Sequence, residues 1–542
     1  MIKISKILFV VSFITFHIPA IAQQIKISGE VKKALNQVDT SQIKADIAYL
    51  ADDKLKGRLP GTEGYQMAVD YVVSQLKALD VKPAGENNTW LQQVRLRKAF
   101  AHNVVIATNF GQDQNIGIEG NNGYAIYPNP SLPEVKITAG LAFAGYGISE
   151  PGLGYDDYAG LDVNGKIVLV THGAPDKFSS SVAAHVMSPA HVLKSAAEHG
   201  AVGVIMFSTD SGLPNLSRGF YSALDKDGNI ELSRTYYSDK IKVFGNISPA
   251  MFNSILLQSG KSFQPILANL RSGQPNSFSL DVSISVSYSS TYQDIASYNV
   301  IGKIEGSDPE LKNTYIVHSA HLDHLGISTP VKGDSIYNGA HDNASGVASV
   351  LAIAKIYNSI EHKPKRSILV VLMTGEEMGD LGSGYFAKHP TVPVKSIVAD
   401  VNTDMPTIIA PLLSITALGA EHSSLVNQVN EAAGYLDLSV EPDPEPKQAR
   451  FTRSDQYSFV LEGIPALHIK YGSKTADGKN NLNDFVAVWR AKYYHKPQDD
   501  INGIFDFAAG KKYAQLNFLI GYLVAQDSSR PVWNPGDIFA VK

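Results

Sequence analysis

Beyond Tyr298 the chain alternates short apolar runs with helical stretches, and its strong acidic signals fall just past the ends of those runs. The runs at 315–317, 368–373, 396–401 and 466–469 have the length and composition of buried strands. Such alternation specifies an α/β architecture, a mixed, mostly parallel sheet flanked by helices. Sheets of this kind bind ligands at the carboxyl ends of their strands, and that is where the donors lie. The first run leads to His321 and Asp323, two apart and therefore on one face. The second runs into Thr374-Gly375-Glu376-Glu377, where Gly375 permits a sharp turn and lets the adjacent carboxylates diverge, one to a metal and one to substrate. The third ends in Asn402-Thr403-Asp404-Met405. Asp342 sits in a glycine-flanked loop at the entrance of a helix spanning 344–360, and Tyr494, His495 and Asp499 follow late in the chain.

Taken one at a time these residues have ordinary explanations, since a lone histidine is more often hydrogen-bonded than metal-bound and paired glutamates are usually solvated. Converging on one sheet edge they do not, because carboxylates gathered without a cation repel one another and protonate. The chain contains no cysteine, so a metal here has only imidazole and carboxylate ligands. That set suits zinc in a catalytic setting, or a harder ion such as manganese. A ligand imidazole usually donates its second N–H to a carboxylate, which makes Asp323 the expected orienting partner of His321.

The rest of the chain reads as support. Its 542 residues suggest two or three domains. Residues 24–85 are helical in pattern, with Val69, Val72, Leu76 and Leu79 on one face. The glycine-rich turn Lys56-Gly-Arg-Leu-Pro-Gly-Thr-Glu-Gly64 lacks the Gly-Lys-Ser/Thr ending of a phosphate loop and is expected to be structural. From 134 to 285 the pattern changes to short strands, with one helix started by Ser188 and Pro189 and closed by Gly200. This block has no histidine and acidic residues at ligand spacing, and it reads as an inserted, non-catalytic module. The last helix is expected to pack through Leu516, Leu519, Ile520 and Leu523, with Gln515 and Asn517 off that stripe. A net charge of −5 without a dense basic run excludes a nucleic-acid footprint. Lys3 and Lys6, the apolar run at 7–18 and Ala20-Ile21-Ala22 form an export signal, with cleavage expected after Ala22. The run is shorter than the roughly 20 residues of a spanning helix, so no stable membrane insertion is expected after cleavage. The destination is the periplasm or the cell exterior.

His321-x-Asp323, Gly339-x-x-Asp342-Asn-Ala-Ser-Gly346, Gly375-Glu376-Glu377, Asn402-x-Asp404-Met405 and Tyr494-His495-x-Pro-x-Asp499 resemble, in that order, the motifs of the two-zinc aminopeptidases, relatives of glutamate carboxypeptidase and the transferrin receptor. Tyr155-Asp-Asp-Tyr158, Gly165-Lys-Ile-Val-Leu-Val170 and the segment 196–204 resemble the protease-associated domain inserted in many members. The resemblance implies a zinc-exopeptidase fold divided as signal 1–22, amino-terminal part of the peptidase domain 23–133, inserted β-rich protease-associated domain 134–285 and zinc peptidase domain 286–542. It implies two Zn2+ per chain, His321 and Asp404 holding one, Glu377 and His495 the other, and Asp342 bridging. Glu376 becomes the general base, Tyr494 an oxyanion donor, and Asp323 and Asp499 the partners that orient the ligands. It also implies a cis peptide between Asp342 and Asn343. The role of Asp455 stays open, and His318, His324 and His341 are further imidazoles near the ligands.

The implied reaction is hydrolysis of peptide bonds by a metal-activated water, removing amino-terminal residues from peptide substrates. A carboxypeptidase of the same family is the alternative, with Arg453 and Lys470 as candidate clamps for a terminal carboxylate. Glutaminyl cyclases of this group have Trp where Tyr494 stands and lack the insert. A receptor-like binding protein with an empty site is disfavoured by the filled ligand positions.

Overall fold

A computed structural model describes residues 27–109, 115–117, 123–207 and 212–540. The export signal read at 1–22 lies outside the described residues.

The central sheet is built around Tyr315–His321. It pairs in parallel with Ser367–Met373 on one side and Ile397–Asn402 on the other, and Ala466–Tyr471 extends the parallel set beyond Ile397–Asn402. Ser414–Leu418 adds an antiparallel strand outside Ala466–Tyr471. The register sets His321 opposite Met373 and Ser319 opposite Asn402, so the turns that carry Glu376 and Asp404 leave the sheet level with His321. The sheet is therefore mixed and mostly parallel, as the strand and helix alternation predicts.

Ser367–Met373 shows why these strands are apolar throughout. Ile368, Val370 and Leu372 enter one core with the helices Thr40–Leu50, Ser345–Ser359 and Phe507–Gln526. Leu369, Val371 and Met373 enter a second core with Phe386 and Phe459, on the helices Leu381–Lys388 and Gln456–Leu461. A parallel strand covered on both faces cannot alternate apolar with polar side chains.

The final helix differs from the expectation. Its apolar stripe is buried, but so are Gln515 and Asn517. Gln515 Nε2 donates to the Leu35 carbonyl at 2.8 Å, and Asn517 Nδ2 donates to Thr403 Oγ1 at 3.0 Å. The amino-terminal helices Gly29–Asn36 and Thr40–Leu50 cover the face that a one-stripe pattern leaves to solvent. Among the described residues no helix is long and apolar enough to cross a membrane.

One strand, Phe278–Ile304, ties the two halves together. It pairs antiparallel with Glu134–Phe143 and Leu91–Asn109, and its last residues pair with Ser367–Met373. Position 285, where a division was expected, falls inside it. The insert adds a parallel ladder of Glu134–Phe143, Ile167–Thr171, Gly203–Phe207 and Val243–Ile247, with cores of its own. The helix expected after Ser188 spans Pro189–Glu198, and Ser188 Oγ caps it.

Candidate metal centre

At the carboxyl edge of the sheet, His321, Asp342 and Asp404 bring one ligand atom each within 4.8 Å of one another, and His324, Asp342 and Glu377 do the same. Both groups are buried and they share Asp342. His321 Nε2 stands 3.3 Å from Asp342 Oδ1 and 3.5 Å from Asp404 Oδ1. His495 Nε2 stands 3.2 Å from Asp342 Oδ2 and 3.2 Å from Glu377 Oε2. Donors bonded at about 2.0–2.1 Å to one tetrahedral ion lie about 3.3–3.4 Å apart, close to the 3.2–3.5 Å seen here. His321 Nε2 and Asp404 Oδ1 are buried yet make no hydrogen bond. Buried polar atoms are rarely left so, and a cation facing them is the simplest partner. The donor set therefore fits two metal ions.

His324, a further imidazole in the sequence reading, is fully buried with Nδ1 2.7 Å from Glu377 Oε1. It approaches the oxygen of Glu377 that does not face His495, so both histidines hold one carboxylate. His318 and His341 stay away from the ions: His318 Nε2 pairs with the Tyr357 hydroxyl at 3.2 Å, and His341 Nε2 donates to the Ile504 carbonyl at 3.0 Å.

The orienting carboxylates act on backbone more than on imidazoles. His321 Nδ1 donates to the main-chain carbonyl of Asp323 at 3.2 Å, while the Asp323 carboxylate is 3.9 Å away. That carboxylate instead accepts the Glu376 N–H at 3.2 Å. Asp499 accepts the N–H groups of His341 and Asp342, at 3.0 and 3.1 Å, and so aims the shared carboxylate rather than His495. Asn343 Oδ1 accepts from Gly346 and Met405, and its Nδ2 donates to the Thr403 carbonyl at 2.9 Å. This ties the Asp342 loop to the Asp404 turn. The Asp342–Asn343 peptide is cis, as expected.

Burial works to raise every carboxyl here, and the neighbours decide the outcome. The imidazoles of His321 and His495 beside Asp342 overcome it there and hold that carboxyl well below the usual range. At Glu377 burial is outweighed by His495 and His324, which bring the carboxyl down to about 2. Glu376 has no such pair: burial pushes its carboxyl well above the usual range, and His321, 4.0 Å away, pulls it back only in part. The adjacent glutamates therefore diverge in environment as well as in direction. Gly375 makes the turn between them and the strand, at φ +70°.

Several supports were missed in the sequence. Lys470, read as a possible clamp, is buried and spent on carbonyls, donating to Asp404 at 2.7 Å and Met405 at 3.1 Å. His468, two residues earlier on the same strand face, donates to the Asp404 carbonyl at 3.0 Å. The alternation of His468 and Lys470 was the available signal. Asp455, left open, is fully buried with neither oxygen hydrogen-bonded, and burial pushes its carboxyl up to about 8. Tyr494 stacks on His495 with ring centroids 3.8 Å apart, and the Arg490 guanidinium lies 3.8 Å from the Tyr494 ring centre.

Residues 299–516 match the model of peptidase family M28, and residues 131–238 match the PA domain. A probable leucine aminopeptidase 2 of Aspergillus oryzae is 22% identical over 484 residues, 86% of this chain and 79% of that protein. A probable zinc metalloprotease of Pyrenophora teres f. teres is 34% identical over 107 residues, 20% of this chain and 22% of its own. The solved aminopeptidase from Aneurinibacillus sp. strain AM-1 shares the fold, with a TM-score of 0.50 at 18% identity, over 92% of this chain and 97% of that one.

Proposed function

We propose that this chain, which belongs to peptidase family M28 and carries an inserted PA domain, is a two-zinc aminopeptidase that removes single residues from the amino termini of peptides. The observation that carries this reading is Asp342, shared by two buried donor groups, with Glu376 beside them and not in either group. His321 and Asp404 would hold one ion, Glu377 and His495 the other, and Asp342 both, with His324 steadying Glu377. Bound there, zinc supplies Lewis acidity and lowers the proton affinity of a water.

The remaining chemistry belongs to the chain's own groups. Glu376, raised by burial, accepts a proton from the nucleophilic water and delivers it to the leaving amine. Asp323 fixes where that carboxylate starts by holding the Glu376 N–H. Tyr494, whose ring contacts His495 and Arg490, would donate to the developing oxyanion.

Cleavage from the amino terminus is supported by where the cations are. Lys470 is spent on two carbonyls, Arg450 pairs with Asp443 and Glu445, and Arg234 of the insert pairs with Asp380 at 2.5 Å. Arg453 is exposed on the wall of a cavity of about 380 Å³ between the insert and the Glu376 turn. A centre rich in carboxylate suits an ammonium, whereas a terminal carboxylate needs a dedicated basic clamp. The name of the Aspergillus relative points the same way. With the export signal read at 1–22, the proposed site of action is the periplasm or the cell exterior.

The test is a panel of peptides blocked at either end. Acetylating the amino terminus is expected to abolish cleavage and amidating the carboxyl terminus to change little; chelation abolishes turnover of every substrate and zinc restores it. Reversed effects of the two blocks identify a carboxypeptidase, with Arg453 the first residue to mutate. Undiminished turnover in protein shown to hold no metal rejects the metal mechanism.

A further inference from the structure

The insert carries a third donor cluster, although its sequence showed none. Glu150 on the strand Ser149–Glu150, His185 on the helix Ser180–Val186 and His191 on the helix Pro189–Glu198 bring one ligand atom each within 4.8 Å of one another. The spacing concealed it, because the histidines lie on two helices either side of a break and the glutamate comes from a distant strand. His191 is 9% exposed in its side chain, and its Nε2 is 3.5 Å from Glu150 Oε1 without making a hydrogen bond. That is again the spacing of two donors on one tetrahedral ion, about 3.3–3.5 Å for bonds of about 2.0–2.2 Å.

The two rings are pre-set. His185 Nδ1 lies 2.5 Å from the Tyr457 hydroxyl, which occupies that nitrogen and leaves Nε2 for a ligand bond. The ring centroids of His185 and His191 are 4.8 Å apart. Ser188 Oγ accepts the His191 N–H at 3.3 Å and fixes the first turn of the helix that carries it. Burial lowers both imidazoles, to about 3 for His185 and about 4 for His191, keeping them in the neutral form that binds metal.

We propose that Glu150, His185 and His191 form a third metal site, taking a divalent transition ion of the zinc class at the seam between the PA insert and the peptidase domain. Two imidazoles and one carboxylate favour zinc, nickel or copper over calcium or magnesium, which prefer all-oxygen sets. The seam location follows from the neighbours. Tyr457 belongs to the peptidase helix Gln456–Leu461, Phe539 packs its ring 5.2 Å from His185, and Ser181 Oγ donates to Glu421 Oε1 at 2.6 Å. An ion at this point joins two helices and a strand of the insert beside the residue that contacts the peptidase domain. It acts as a clip, distinct from the hydrolytic centre.

The test strips the full chain of metal, dialyses it against zinc and counts bound zinc by mass spectrometry, alongside thermal melts with and without zinc. His191→Gln and Glu150→Gln are each expected to hold one equivalent fewer than wild type and to gain less melting temperature from zinc. The comparison reads a difference, so it does not depend on how many ions the hydrolytic centre holds. Should either variant fail to fold, zinc-edge anomalous scattering from wild-type crystals replaces it, with a peak expected between Glu150 and His191. Equal zinc counts in the three proteins, or no peak there in zinc-soaked crystals, overturn the proposal.

Discussion

Glu376→Gln is expected to lower kcat by about 10³-fold while leaving bound zinc unchanged, and Glu377→Gln to lose zinc first and activity with it. The two residues are neighbours in the chain but not in environment. The Glu376 N–H is held by Asp323 at 3.2 Å, so the turn keeps its shape when the side chain becomes an amide. What the amide loses is the ability to take a proton. Glu377 instead faces His324 at 2.7 Å and His495 at 3.2 Å. Replacing its carboxylate there removes a charge that two imidazoles and an ion share, and leaves an NH2 group facing donors. Steady-state rates and metal counts on the same preparations separate the outcomes. A Glu376→Gln protein that loses zinc, beside a Glu377→Gln protein that keeps it, would mean the roles are exchanged.

Residues that carry chemistry at strand ends were legible because a parallel strand announces itself as an apolar run and stops abruptly. His321, Glu376, Glu377 and Asp404 all leave the sheet at such stops, and register brings them level. Legibility failed where position depends on contacts between distant segments. His324 meets Glu377 across from His495, and nothing local distinguishes His324 from His318, which turns away to Tyr357. Asp323 was expected to hold the His321 imidazole, yet its carboxylate holds the Glu376 N–H, since a carboxylate takes whichever buried donor most needs a partner. Gln515 and Asn517 looked like the wet side of a helix because polar residues are more often exposed. Gln515 is buried under a helix from the other end of the chain and Asn517 against Thr403 in the turn before Asp404, contacts absent from the local pattern. Glu150, His185 and His191 failed to register for the same reason.

Arg58→Ala is expected to destabilise the protein by about 3–5 kcal/mol and to weaken metal binding, although Arg58 touches no proposed ligand side chain. Its guanidinium is 1% exposed. It donates to four carbonyls: Leu322 at 2.9 Å, Leu50 at 2.5 Å, Asn338 at 2.6 Å and Gly339 at 3.1 Å. Three of these, Leu322, Asn338 and Gly339, flank the His321 stretch and the Asp342 loop, so one side chain sets the distance between them. Burial pulls the guanidinium down to about 10, against the opposing pull of Asp323, Asp342 and Asp499, so it stays charged at neutral pH. It is thus the buried cation behind three carboxylates of the centre. The approach is possible because the preceding turn is left-handed through Lys56 and Gly57, and a Cβ at Gly57 would collide with the Tyr337 carbonyl. Alanine takes the donor from the buried carbonyls of Leu322, Leu50 and Asn338, leaves Gly339 with only the Ala344 N–H, and removes the charge beside three carboxylates. Arg58→Lys restores the charge but not the planar spread of donors, so it should recover part of the stability and less of the metal affinity. Urea unfolding of the two variants, read beside zinc affinity, tests both halves of the claim. An Arg58→Ala protein within about 0.5 kcal/mol of wild type, the range of ordinary surface substitutions, would show that the turn at 56–58 holds itself and that the ligand loops do not depend on it.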